Sequence, residues 1–153
     1  TLSVALARRV PGTYLALDIA EDAVASARRV AEENAASVEF LQSDLFAALP
    51  ADRDFDITFF NPPYVPRARS IQWRTLGEPA RVWDGGEDGL DVIRKFWKAA
   101  DPLGGRLGAV LMGFNRKSVP EAGVEALARA SGFAVTGAKR ALHPGTVLAF
   151  RKA

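Results

Sequence analysis

The chain has 153 residues, 48% apolar and 25% charged, with a formal net charge of +2 and a sequence pI near 9.2, which suits one domain with a real core. Without cysteine there are no disulfides or thiolate metal sites, and a single histidine, His143, argues against a zinc site or a Ser-His-Asp triad, so no metal is expected. No apolar run approaches the roughly 20 residues of a membrane span and no stretch reads as a signal peptide, so a cytoplasmic location without a membrane partner is expected.

In chain order, residues 1–9 read as a helix with Leu2, Ala5 and Leu6 on one face, broken at Pro11-Gly12-Thr13. Residues 14–19 form a short apolar run that contains an acid near its end, as a buried strand would. Residues 21–34 are strongly helical, with Val24, Ala27 and Ala31 on one stripe. Residues 38–46 alternate and read as a strand, and residues 55–60 as another. An irregular stretch runs from Asn61 to about Asp88. A helix is expected at 88–100, stopped by Asp101-Pro102-Leu103-Gly104-Gly105, then a strand at 106–114. Residues 119–131 read as a helix with proline near its start and Gly132 just past its end. Strands at 133–142 and 146–152 are joined at His143-Pro144-Gly145, a hairpin. Strands alternating with helices predict an α/β fold with a mostly parallel sheet in one domain, and the last hairpin adds an antiparallel edge.

Open α/β sheets bind ligands at the carboxyl ends of their strands, so the strand ends carry the candidates. They are Asp18 with Ile19, Asp44 with Leu45, and Asn61, expected along one rim. Asp18 has two readings. Its carboxylate can accept two hydrogen bonds from a ribose diol, or it can cap the next helix, with Glu21 three residues on as in a capping box. Asp44 reads either as a turn residue bonding its own backbone or as a contact for the exocyclic amine of a bound base.

Asn61-Pro62-Pro63-Tyr64 ends the third strand, because proline cannot donate to a sheet ladder. This combination suits a planar nitrogen as substrate. An amide or exocyclic amine has a delocalised lone pair and must pyramidalise to attack, gaining positive charge as it does. Acceptors on its two hydrogens stabilise that charge. The Asn61 side-chain oxygen can take one and the Pro62 carbonyl the other, with both pre-positioned by the prolines. Tyr64 offers a face for stacking. The bland alternative is a proline-rich turn.

The Asn-Pro-Pro-Tyr stretch resembles the catalytic motif of class I S-adenosylmethionine-dependent methyltransferases acting on planar nitrogen. Those include release-factor glutamine, adenine-N6 DNA and guanine-N2 rRNA methyltransferases. Residues 78–96, with Glu78-Pro79 and then Gly85-Gly86-x-x-Gly89-Leu90, are similar to the segment that follows the motif in the HemK/PrmC-type glutamine methyltransferases. Residues 15–34 and 38–46 resemble that family's second and third strand regions, so the likeness covers most of residues 1–115. It implies a Rossmann-like methyltransferase sheet and S-adenosylmethionine as cofactor. It also implies that Asp18 and Ile19 bind the cofactor's ribose end, that Asp44 and Leu45 hold its adenine, and that Asn61 borders it. Asn61, Pro62, Pro63 and Tyr64 would grip the methyl-accepting amide. The implied substrate is a protein, a translation release factor; the alternatives are a nucleic-acid base (adenine N6 or guanine N2) or a truncated domain without catalysis.

The sequence departs from that pattern in two places. The family has a first strand and a glycine-rich loop before its first helix, whereas this chain starts at Thr1, inside or just before that helix. Residues 1–153 are therefore expected to be a catalytic domain lacking that strand and loop, part of a longer protein, and to bind the cofactor poorly alone. The second and fourth strands of the family would then lack the partner that sits between them. The other departure is the basic stretch 67–81, where Arg67, Arg69, Arg74 and Arg81 face Glu78 alone. It reads as a solvated loop or as a contact for RNA phosphates. Trp73 and Trp83 read as stacking residues or as lid residues packed on the core. His143 reads as structural, and Gly85, Gly86 and Gly89 as sites of close backbone approach to the following helix.

Overall fold

The computed structural model describes residues 1–69, 77 and 79–153. Two compact units divide the chain, Thr1–Asp52 and Arg53–Ala153.

The first unit contains α1 (Leu2–Ala7), β1 (Leu15–Asp18), α2 (Glu21–Glu33) and β2 (Glu39–Gln42). β1 and β2 pair in parallel, Leu15 opposite Glu39 through Asp18 opposite Gln42. This is the right product of an apolar strand, an amphipathic helix and a second strand. Val24, Ala27 and Ala31 are the buried residues of α2, the stripe expected from sequence, and they cluster with Val4 and Phe40. The expected face of α1 is corrected: Val4 is buried and Leu2 lies 56% exposed. A helix of six residues is under two turns, so periodicity does not fix which stripe faces inward. β2 stops at Gln42 rather than residue 46, because the chain turns at Ser43.

The second unit holds β3 (Ile57–Phe60), a 3-10 turn at Arg67–Arg69, α3 (Ala80–Trp83), α4 (Asp91–Ala100), a 3-10 segment Asp101–Leu107, β4 (Ala109–Asn115), α5 (Glu121–Ala130), β5 (Phe133–Arg140) and β6 (Gly145–Lys152). The strand order is β3-β4-β6-β5. β3 and β4 run parallel; β6 is antiparallel to both β4 and β5, with a bulge between Val135 and Gly137. The expected hairpin at His143-Pro144-Gly145 forms, and His143 Nδ1 accepts from the Gly145 N–H at 3.0 Å. His143 is thus structural.

One face of this sheet buries Val110, Met112, Phe114, Leu148 and Phe150, and α4 and α5 bury Ile93, Phe96, Trp97, Val124 and Ala128. Trp97 meets the Phe96 and Phe150 rings edge-on, with centroids 5.1 and 4.8 Å away, and Phe96 stacks on Phe60 at 4.3 Å. That last contact ties the helix to the residue immediately before Asn61. Dispersion and apolar burial in such a cluster dominate the unit's stability.

The stretch 61–88 is less irregular than its sequence suggests. It includes the 3-10 turn, the single turn of α3 and a parallel bridge between Val65 and Asp84. The fourth helix begins at Asp91, not at residue 88, because Gly89 takes a left-handed φ of 83° and Asp88 Oδ1 accepts from the Leu90 N–H. Among the described residues no helix is long and apolar enough to cross a membrane, and no group of metal-ligating side chains is found.

Candidate functional site

In the first unit, Asp18 is the last residue of β1 and is exposed, as is Ile19. Its Oδ1 accepts from the Ala20 N–H at 2.9 Å, a short side-chain turn. The capping-box reading is therefore corrected. The residue at the helix boundary is Ala20, and no side chain caps α2. The other carboxylate oxygen of Asp18 takes no hydrogen bond from the described residues.

Beyond β2 the bland reading of Asp44 is also corrected. The residue that bonds the turn's backbone is Ser43, 6% exposed. Its hydroxyl donates to the Leu45 carbonyl and accepts from the Ala48 N–H, both at 2.9 Å. Asp44 stays exposed, with no side-chain bond from the described residues. Leu45 is held at a φ of 49°, a left-handed conformation that a branched side chain adopts only at a cost of about 1–2 kcal/mol. The unit thus presents two open carboxylates, each set on a short turn at a strand end.

In the second unit, Asn61 follows β3 directly. Its Oδ1 lies over β4 at Gly113, where a methyl group would sit 3.5 Å from it. Asn61 is exposed and Pro62 is buried, with Pro63 and Tyr64 half-buried. Among the described residues none donates to the Asn61 side-chain oxygen or to the Pro62 carbonyl. Two acceptors are therefore available in consecutive residues.

The chain after them is firmly held. The Val65 N–H donates to the Trp83 carbonyl at 2.8 Å, the Gly85 N–H to Val65 at 3.0 Å, and the Arg67 N–H to Gly86 at 3.0 Å. A Cβ at Gly85 would come within 2.7 Å of Tyr64 Cα, and one at Gly89 within 2.6 Å of the Tyr64 carbonyl. Gly86 bears out the expected approach to the helix start, since a Cβ there would overlap the Asp91 side chain, whereas Gly85 and Gly89 pack against Tyr64 instead.

Two arginines of the basic stretch are engaged within the fold. Arg67 Nε donates to Asp84 Oδ2 at 3.0 Å, and that hydrogen bond is the main reason its guanidinium pKa rises. Arg69 donates to the Lys117 carbonyl, and Trp83 is buried at 4% exposure, so it packs rather than stacks. Nearby, the hydrogen bond from Arg94 pulls Asp88 below the usual carboxylate range. Trp73, Arg74 and Glu78 lie outside the described residues. Sequence reasoning missed Ser43, Asp84 and Gly113; their only signals were small or polar residues in turns and a glycine within a strand.

Residues 1–112 match the family model of the methyltransferase small domain. A release factor glutamine methyltransferase of Geobacter sulfurreducens is 37% identical over 103 residues, covering 65% of this chain and 36% of that protein. A ribosomal protein uL3 glutamine methyltransferase of Bordetella pertussis is 38% identical over 89 residues, covering 56% of this chain and 30% of its own length. The chain thus spans about a third of the curated relatives it matches. A methyltransferase from Pyrococcus furiosus superposes with a TM-score of 0.68 at 18% identity, covering 99% of this chain and 68% of the other, which shows the Rossmann-like methyltransferase fold.

Proposed function

Because this chain belongs to the methyltransferase small domain family, we propose that it serves S-adenosylmethionine-dependent methylation of a protein glutamine side chain, with a translation release factor as the substrate protein. The carrying observation is the pair of adjacent, unused acceptors, Asn61 Oδ1 and the Pro62 carbonyl, at the end of a strand whose continuation is locked by the glycine-rich segment.

S-adenosylmethionine supplies an electrophilic methyl group. The chain's own residues bind, orient and stabilise. In the first unit, Asp18 with Ile19 would hold the ribose hydroxyls and Asp44 with Leu45 the adenine. The open Asp18 and Asp44 carboxylates fit a diol and an exocyclic amine, since both are hydrogen-bond donors. In the second unit, Asn61 and Pro62 would accept the two amide hydrogens of the glutamine. They favour the pyramidal nitrogen over the planar one, so their effect is greatest as charge develops. Tyr64, half-buried, and Pro63 would flank the flat amide. After the nitrogen–carbon bond forms, the excess proton leaves to solvent. Alignment supplies most of the acceleration, and no residue needs an unusual pKa.

A base amine of nucleic acid would satisfy the same two acceptors. Two of the four arginines offered for phosphate contact, Arg67 and Arg69, are engaged by Asp84 and the Lys117 carbonyl, which counts against it. Mass spectrometry of an unmethylated release factor, incubated with the full-length protein and S-adenosylmethionine, tests the proposal. Methylation of one glutamine is expected, and a release factor left unmodified would refute it. Steep salt dependence of acceptor binding would instead favour nucleic acid.

A further inference from the structure

We propose that Asp84 is a positioning residue for this transfer, an assignment that rests on the reading above. It clasps the chain immediately downstream of Asn61–Tyr64 and so fixes where the two acceptors point.

Both carboxylate oxygens are used. Oδ1 accepts from the Gly86 N–H at 2.8 Å, and Oδ2 accepts from Arg67 Nε at 3.0 Å. One side chain thereby joins Gly86, on one side of the bridge, to Arg67, three residues beyond Tyr64 on the other. The backbone bonds it encloses, from Arg67 to Gly86 and from Gly85 to Val65, are the ones that set the direction of the Tyr64–Pro66 strand end. Asp84 bonds Gly86 and Arg67 and acts through that strand end.

The exposure of the pair points to geometry rather than to stability. The Arg67 side chain is 60% exposed and Asp84 is 20% exposed. An ion pair open on its arginine side contributes little to folding. Displacing acceptors by a fraction of an ångström, by contrast, is felt strongly in a reaction that depends on alignment.

The test compares the wild-type protein with Asp84→Ala, Asp84→Asn, Arg67→Ala and the Asp84→Ala/Arg67→Ala pair. Three readouts are needed: kcat and KM on a glutamine-containing acceptor peptide, the calorimetric Kd for S-adenosylmethionine, and hydrogen exchange at the Val65 and Arg67 amides. Asp84→Ala is expected to lower kcat about tenfold, leave the cofactor Kd within about twofold, and speed exchange at both amides. Asp84→Asn keeps an acceptor for Gly86 and should recover part of the rate. The pair should be little worse than Asp84→Ala alone, since the two residues act as one unit. Unchanged kcat in Asp84→Ala, a loss confined to cofactor affinity, or multiplied losses in the pair would each overturn the assignment. If Asp84→Ala does not fold, Asp84→Asn and Arg67→Ala carry the same expectations at about threefold. A wild-type protein that leaves the glutamine peptide unmodified refutes the functional reading instead. The clasp is then decided by exchange alone, and unchanged protection at Val65 and Arg67 overturns it.

Discussion

The strand ends of the two units are held in different ways. In the first, the Asp18 and Ser43 side chains bond within five residues, while the two strand ends are joined by the Ser43 N–H to the Asp18 carbonyl at 2.8 Å and by Gln42 Nε2 to the Ile19 carbonyl at 3.2 Å. One oxygen of Asp18 and the Asp44 carboxylate are left open among the described residues. In the second, Tyr64–Arg67 is bonded to a segment about twenty residues later, through backbone on both sides and through glycines that leave no room for a methyl group. A carboxylate that meets hydroxyls can find them by rotating. Acceptors that must favour a fleeting pyramidal nitrogen gain only if they are fixed beforehand. The rigid end therefore suits the chemistry and the adjustable end suits binding.

Asn61→Ala is the strongest way to break this contrast. Loss of one preorganised polar partner of a developing charge costs about 10²–10³-fold in kcat, or roughly 3–4 kcal/mol. Cofactor Kd should stay near its wild-type value. If affinity fell as much as rate, the division of labour would be wrong. Gly89→Ala comes next and attacks the rigidity itself. Gly89 has a φ of 83°, and an added methyl would meet the Tyr64 carbonyl at 2.6 Å and Val119 Cγ1 at 2.7 Å. About 3 kcal/mol of destabilisation is expected, seen as a lower urea midpoint.

Asp18 tests the adjustable end. Asp18→Ala removes both the open oxygen and the bond from Ala20, and about tenfold weaker cofactor binding is expected by calorimetry. Asp18→Asn preserves an acceptor for the Ala20 N–H but loses the charge. If asparagine binds like aspartate, the turn matters and the carboxylate does not. If it binds like alanine, the second oxygen does the binding.

The adjustable end was also the easier to misread from sequence. Asp18 and Glu21 have capping-box spacing, yet β1 runs through Asp18 and the helix opens after Ala20. In Ser43-Asp44 either residue can serve the turn, and the smaller hydroxyl took the buried place. Local pattern cannot rank two competent neighbours. The stripe of α2 and the hairpin at His143 were legible because one periodic face or one turn decides them. Asn61–Tyr64 stood out in the sequence by its chemistry alone, and the glycines by their spacing. What spacing could not give is the bond from Arg67 to Asp84, a tertiary contact between an exposed arginine and a half-buried aspartate in a stretch with no periodicity.

The smallest predicted effect compares the two units at their helix ends. α2 and α5 both close with a left-handed residue just past the cap, Ala35 at φ 49° and Gly132 at φ 73°. After α2 the Ala36 N–H returns to the Ala31 carbonyl at 2.9 Å and the Ala35 N–H to Glu32 at 3.1 Å, the paired bonds of a Schellman ending. After α5 the Gly132 N–H bonds the Arg129 carbonyl at 3.0 Å. Only the second helix has the residue that this conformation favours. Ala35 is exposed, so its methyl group packs on little. Ala35→Gly should therefore raise stability by about 0.5–1 kcal/mol, relief of left-handed strain outweighing the added freedom of the unfolded chain. Gly132→Ala should lower it by about 1 kcal/mol or more; the nearest obstacle to its methyl is Lys152 Nζ, 2.9 Å away, which is itself held by Asp101 and the Ser131 carbonyl. Opposite signs in urea midpoints would show that both endings obey the same backbone rule. A loss in both would mean that Ala35 is held by something other than its turn.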